Sequence, residues 1–433
     1  MLDTLTSRQA RHVIEVVGSS GTPPEWGFQF FSAGLDGYLR VIEEDYLRSF
    51  LREGGSSFKV VVGTYGGGKT HFLYSVRELA WRNDFLVAYC PLSAETSPFY
   101  RLDKVYRSIA VNLMRPLTPD ELLGGAERGL GAFLKNVYAG LVEALAAEGH
   151  RGEELRKRVA AVAADSTRGL ENPNFGRAVR LALEALVQDD PDTFDRMLQY
   201  LTVDGYDRVA HRGAGILQPI ERGQAFATIR SLVTWIRNLR FRGLIILFDE
   251  AEQAGAMTSK QKEMMLANLR ELVDQCGASA FANVMVFYAV PNEQFLVEGR
   301  SPAYEALRQR IQTVFDFTNP TGVTIRLDRM AREPRTLLTE IGNKLTGVYE
   351  TAYRKEFPLD VKTRLVGLLA DAAAERAFGD IGYKRLFVQG LVRALHSLRL
   401  AKGVTVDEDF ARQMLAAGTG EPDGDGLGDL PQG

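Results

Sequence analysis

Residues 58–70 read FKVVVGTYGGGKT, and the fold is decided there. Phe58–Val62 is a short apolar, β-branched run, the mark of a strand buried on both faces of a parallel sheet. Gly63–Thr70, GTYGGGKT, matches G-x-x-x-x-G-K-[ST] in full. A polyphosphate needs several backbone N–H donors converging on it, and only a glycine-rich loop lets the backbone wrap that closely. Gly66, Gly67 and Gly68 remove the obstructing Cβ atoms. A helix beginning near Lys69 aims its positive end at the anion. Lys69 then supplies a point charge for the β- and γ-phosphates, and Thr70 a hydroxyl for Mg²⁺. A glycine-rich turn beside a surface lysine would give the same string by chance. A strand before it and a helix over His71–Trp81 after it are the context that distinguishes the two. The expected nucleotide contacts are therefore Gly63, Thr64, Tyr65, Gly66, Gly67, Gly68, Lys69 and Thr70, with His71 as a neighbour rather than a catalyst. Tyr65 has two readings, exposed for stacking on a base or packed under the loop, and packing is the preferred one.

The partner of this loop is GLIILFDE at 243–250, an apolar strand ending in two carboxylates. Asp249 at the strand tip would hold Mg²⁺, directly or through water, and Glu250 would polarise the attacking water. An acidic pair implies hydrolysis as well as binding. The strand at Val284–Val290 ends in Pro291-Asn292, where a polar side chain can orient the water or touch the γ-phosphate, unless Asn292 is a simple turn residue. Arg308 and Arg310 fall near the end of the following helix, where an arginine of an oligomeric ATPase reaches a neighbouring subunit's nucleotide. Arg310 is preferred, with a solvated helix arginine as the alternative. Lys384 and Arg385 begin a late helix that would fold over the phosphates, and of the two Arg385 is chosen.

The rest of the chain sets bounds. At 433 residues with 45% hydrophobic and 25% charged residues, it suits two or three globular units rather than a disordered polymer. A net charge of -3 excludes a protein that coats nucleic acid by bulk charge, though not one with a local basic groove. Two cysteines, Cys90 and Cys276, beside apolar stretches point to buried neutral thiols in a reducing compartment. His12, His71, His150, His211 and His396 show no ligand spacing. No secretory signal and no spanning stretch are expected, so the expected location is cytoplasmic, with no membrane partner.

Apolar periodicity marks an N-terminal helix at 3–17 through Ala10, Val13, Ile14 and Val17, and a second at Leu35–Glu53. Residues 1–100 read as these helices plus the first half of the nucleotide-binding core. Residues 101–235 read as an all-helical insertion with balanced charge, projecting from that core as a partner- or DNA-facing element. Residues 236–330 carry the second half of the core, and 331–417 a helical lid. The Gly/Asp/Pro-rich stretch 418–433 reads as a disordered acidic tail.

In order, the chain shows a phosphate loop, an acidic strand tip, a polar strand tip, an arginine-bearing helix and a helical lid. In this it resembles the AAA+ branch of P-loop ATPases, near the initiator and loader clade. More closely, RQARHVIEVV, VVVGTYGGGKTHFLYSVRELA and RFRGLIILFDEAEQ resemble the BrxD-like ATP-binding proteins of bacterial BREX phage-exclusion systems. The resemblance covers most of the chain. It implies a cytosolic ATPase of a multi-gene antiviral defence system, associated with DNA and with partner proteins. Two departures stand out. The long separation of Lys69 from Asp249 requires the insertion, and where the loader clade usually adds a winged helix after the lid, the stretch after residue 417 reads only as the acidic tail, so DNA contact through such a module is not expected here.

The expectation is an α/β P-loop NTPase of AAA+ type, a three-layer αβα sandwich with a long helical insertion and a C-terminal helical lid. The expected activity is Mg²⁺-dependent hydrolysis of the ATP phosphoanhydride bond, coupled to conformational change in a DNA-associated defence complex. Asn292 and Arg385 would sense the γ-phosphate, and Arg310 of a second copy would complete the site of a homo-oligomer. Three alternatives stand beside it: a loader placing a helicase or methyltransferase on DNA, a STAND-like switch acting by ATP-driven assembly, and a scaffold with a degenerate site.

Overall fold

The computed structural model describes residues 5–250, 257–292, 294–297, 302–316, 318–327, 333–376, 382–401 and 403–416. Two compact units are formed: a larger one from Asp36–Gly63 and Phe72–Leu327, and a smaller one from the described residues of 1–35, 64–71 and 328–433.

The larger unit is built on a six-stranded sheet in the order β3-β2-β4-β5-β1-β6. The strands are β1 (Ser56–Val62), β2 (Leu86–Pro91), β3 (Leu113–Met114), β4 (Leu244–Asp249), β5 (Val284–Val290) and β6 (Thr324–Arg326). All pair in parallel except β3, which runs antiparallel to β2 through Val87↔Met114 and Ala88↔Leu113. The central strands are almost wholly buried, which is why they read as unbroken apolar runs. β5 lies between β1 and β4, so Gly63 and Pro291, which follow β1 and β5, and Asp249, which ends β4, all lie at carboxyl ends of neighbouring parallel strands. The Gly63 N–H continues the ladder onto Val290 O at 3.1 Å.

Before β1 the chain is helical over α1 (Ser7–Ser20), then α2 (Asp36–Val41), which runs on as a π-helical Ile42–Phe50. The step from β1 to β2 is α3 (Lys69–Arg82). Between β2 and β4 come α4 (Leu102–Val111), α5 (Pro119–Leu123), α6 (Gly129–Ala147), α7 (Gly152–Ser166), α8 (Pro173–Gln188), α9 (Pro191–Leu201), α10 (Arg208–Gly213) and α11 (Ala225–Asn238). After β4 follow α12 (Ser259–Gly277), α13 (Gln294–Val297) and α14 (Pro302–Ile311).

The expected all-helical block contains one element of another kind, the two-residue β3. Much of the block also belongs to the core instead of standing off it. Leu102, Val105, Ile109, Leu130, Phe133, Phe175, Ile229 and Trp235 share one apolar cluster with Ile246, Phe248 and Val286 of the sheet. Trp235 meets Phe133 edge-on at 5.5 Å and donates its indole N–H to Ser166 Oγ at 3.2 Å. Periodicity alone does not say whether an apolar face covers a sheet or a neighbouring helix. The far part of α6, with Lys135, Asn136, Glu143 and Ala144 exposed, and the start of α7, with Glu153, Glu154, Lys157 and Arg158 exposed, lie outside that cluster. Among the described residues, α6 is long and apolar enough to cross a membrane by length and composition, and its buried residues are Gly129, Leu130, Phe133 and Leu134. No such stretch was expected, and alanine and glycine account for much of its apolar character.

In the smaller unit, α1 lays Ala10, Val13, Ile14 and Val17 against α15 (Pro334–Tyr353) and α17 (Tyr383–Leu400). Those are the four residues its periodicity selects. A capping box between Thr6 and Gln9 starts the helix. Gly21, left-handed at φ 63°, ends it three residues later than expected. α16 (Leu359–Arg376) and α18 (Glu408–Ala416) complete the helical group. Residues 418–433, read as a disordered tail, lie outside the described residues.

Candidate functional site

The residues singled out by sequence fall into two sets. In the larger unit the set sits at the carboxyl ends of β1, β4 and β5. Asp249 is 1% exposed. Its Oδ2 accepts the Tyr89 hydroxyl at 2.7 Å, and its Oδ1 accepts the Glu250 N–H at 2.9 Å. Glu250 takes a left-handed backbone, φ 57°, an uncommon state for a residue with a side chain. The chain thus turns sharply at the strand tip. Asn292 is exposed, and its Oδ1 accepts the Phe295 N–H at 2.9 Å, so it caps α13.

Arg310 is held on α14 by an ion pair with Asp274 of α12, and donates to Ala306 O at 2.7 Å. The carboxylate beside it pushes its pKa up further. Arg308, two residues earlier on α14, is exposed.

The second set lies in the smaller unit. Gly66 and Gly68 have φ of 70° and 99°, where a side chain is strained. A Cβ on Gly67 would come within 2.8 Å of Thr64 O, so bulk there would force the turn open. The loop is closed by the Gly67 N–H on Thr64 O at 2.9 Å. Lys69 is 8% exposed, and its Nζ lies 3.4 Å from Thr64 O. Thr70 follows within the first turn of α3.

From α17, Lys384 Nζ donates to Gly67 O at 3.2 Å, and Arg385 donates to Tyr65 Oη at 3.3 Å and Ser20 O at 2.5 Å. The Arg385 guanidinium lies 5.7 Å from the Tyr65 ring centre. Tyr65 is 61% exposed, so the preferred reading of a ring packed under the loop is corrected. The phenol is drawn outward instead, where Arg385 meets both its hydroxyl and its ring. His71 is a packing residue: its ring meets Phe28 and Phe31 edge-on at 5.2 and 5.9 Å, and Nε2 pairs with Ser32 Oγ. Burial first, and then the nearby Lys384 charge, lower its pKa to about 4, so it is neutral at physiological pH.

Sequence reasoning missed Tyr89. Its signal was faint: one hydroxyl-bearing residue inside the apolar run FLVAYC, on the strand that proves to neighbour the acidic one. Both thiols are buried, and burial pushes Cys90 and Cys276 up to about 12, as expected of inert cysteines.

A family model described as BREX system ATP-binding protein BrxC/D matches residues 5–414. No curated protein and no solved structure gave a match.

Proposed function

The chain belongs to the BrxC/D family of BREX system ATP-binding proteins, and we propose that it hydrolyses ATP in Mg²⁺ through the loop at 63–70 and the acids at 249–250. The observation that carries this reading is the placement of GTYGGGKT. It runs from a buried parallel strand into the first turn of a helix, on a sheet whose next strand but one ends in Asp249-Glu250. That order, with β5 between the two, agrees with a P-loop ATPase of AAA+ type.

Loop amides and Lys69 bind the β- and γ-phosphates. The donor set suits Mg²⁺, which takes one or two protein oxygens and completes its shell with water and substrate phosphates: the buried Asp249 carboxylate and the Thr70 hydroxyl would hold it. Mg²⁺ bound there neutralises phosphate charge. Glu250 accepts a proton from the attacking water as its oxygen bonds to the γ-phosphorus. The bond to the β,γ-bridging oxygen breaks, leaving ADP and phosphate.

Asn292 would have to leave its cap on α13 to orient that water. Lys384 and Arg385 sense loop occupancy from 331–417, which acts as the lid. The trans arginine is Arg310 once Asp274 releases it, and the helical block 101–235 is the partner-facing element of a cytoplasmic homo-oligomer working with other BREX proteins and DNA. ATP turnover by the full-length chain, with and without duplex DNA, tests the reading, with mass measured in ATP and ADP. Mg²⁺-dependent turnover and a larger mass in ATP are expected. No turnover under any of these conditions would overturn the hydrolytic role.

A further inference from the structure

One side chain at the acidic strand tip has no part in the chemistry just described. Tyr89 stands on β2 opposite Leu247 of β4, and Pro91 stands opposite Asp249. Residues 247 and 249 lie on the same face of the strand, so Tyr89 shares that face with Asp249 and reaches forward to it. The phenol is not loosely placed. Its ring lies 5.1 Å from that of Tyr74 on α3, tilted by 52°, and Tyr74 is itself buried beneath the Arg77 guanidinium at 4.7 Å. Each oxygen of the Asp249 carboxylate thus accepts a fixed donor, Tyr89 Oη on one and the Glu250 N–H on the other. A carboxylate without them would turn about its terminal bond, because that torsion is broad.

We propose that Tyr89 is a positioning residue: its hydroxyl fixes the plane of the Asp249 carboxylate so that the carboxylate meets the metal of a bound Mg-nucleotide without reorienting. The proposal rests on the Mg-nucleotide reading of the strand tip. It separates hydrogen bonding from packing, because Tyr89→Phe keeps the ring against Tyr74 and loses only the donor, whereas Tyr89→Leu loses both.

The test titrates Mg²⁺ into the full-length chain holding a fluorescent ATP analogue, for wild type, Tyr89→Phe, Tyr89→Leu and Asp249→Asn, with a thermal melt of each. Binding of the analogue in EDTA serves as the metal-free reference. Tyr89→Phe is expected to raise the Mg²⁺ concentration for half-saturation about tenfold, the scale of one hydrogen bond to a charged group. Metal-free binding should stay as in wild type with a small fall in melting temperature from the lost buried hydrogen bond, and Tyr89→Leu should show the same Mg²⁺ defect with a larger fall. A Tyr89→Phe titration that superimposes on wild type, while Asp249→Asn shifts, overturns the positioning role and leaves the metal site standing. Loss in Tyr89→Phe of metal-free binding and Mg²⁺ response together overturns it in favour of a structural role. A wild-type chain whose affinity ignores Mg²⁺ overturns both the proposal and the reading beneath it.

Discussion

Glu250 and Gly68 show how much one residue carries. Glu250 stands at the end of a buried strand with a left-handed backbone, and its carboxylate is the group proposed to take the water proton. Glu250→Gln keeps size and polarity and removes only basicity. Turnover should fall by about 100-fold or more, the usual worth of a general base, while ATP stays bound. Rapid single-turnover hydrolysis by that variant would contradict the assignment. Gly68 has a φ of 99°, and among the described residues no atom beyond its two chain neighbours lies within 4 Å of the place a Cβ would take. Gly68→Ala therefore meets no clash and suffers only backbone strain, about 1–3 kcal/mol. Weakened ATP binding with an unchanged far-ultraviolet spectrum is the expected result. At this scale the sequence was legible where the chemistry is written in a run of neighbours, as in GTYGGGKT and FDE. Tyr89 was hidden because its partner lies on another strand, and register is not visible in a single chain. Asn292 and Arg310 kept their polar character, yet the structure gives each a local partner, Phe295 and Asp274.

Elements followed from periodicity more closely than from spacing. The expected Val284–Val290 strand coincides with β5, and α1 buries the four residues its helical repeat selected. Ile14 is 1% exposed, so Ile14→Ala should cost about 2–5 kcal/mol in a chemical denaturation of the helical unit. The two-residue β3 was not legible, because a pair of apolar residues has no period. β1 carries a less obvious feature. Lys59 is 1% exposed, with Nζ 2.8 Å from Tyr46 Oη and 2.6 Å from Gly322 O, and with the Tyr46 and Phe315 rings at 4.5 and 4.8 Å. Burial lowers its pKa to about 7 from an ordinary value of 10.5. Between those values the unfolded chain binds more protons than the folded one, so this group makes stability rise with pH from about 7 to 10.5. Below 7 both states hold the proton and the slope vanishes. Denaturant midpoints measured from pH 6 to 10 should show a rise over that window in wild type that is smaller in Lys59→Met. Parallel curves would contradict the reading of Lys59.

On the scale of the whole molecule, the family match over residues 5–414 runs through both compact units. Both units therefore belong to the region that the ATP-binding family shares. Ligand that binds only the folded state raises stability by about 2.7 kcal/mol at 100 times its dissociation constant. Melting in Mg-ATP should accordingly occur at higher temperature than in buffer with Mg²⁺ alone. The central claim is that the loop at 63–70 grips the phosphate chain of ATP. Calorimetric titration of ATP into wild type and Lys69→Ala, in Mg²⁺, tests it most directly. Saturable binding by wild type and at least a 100-fold loss in Lys69→Ala are predicted from removing a buried charge paired with phosphate. Equal affinity in the two proteins, or no binding by either, would contradict it.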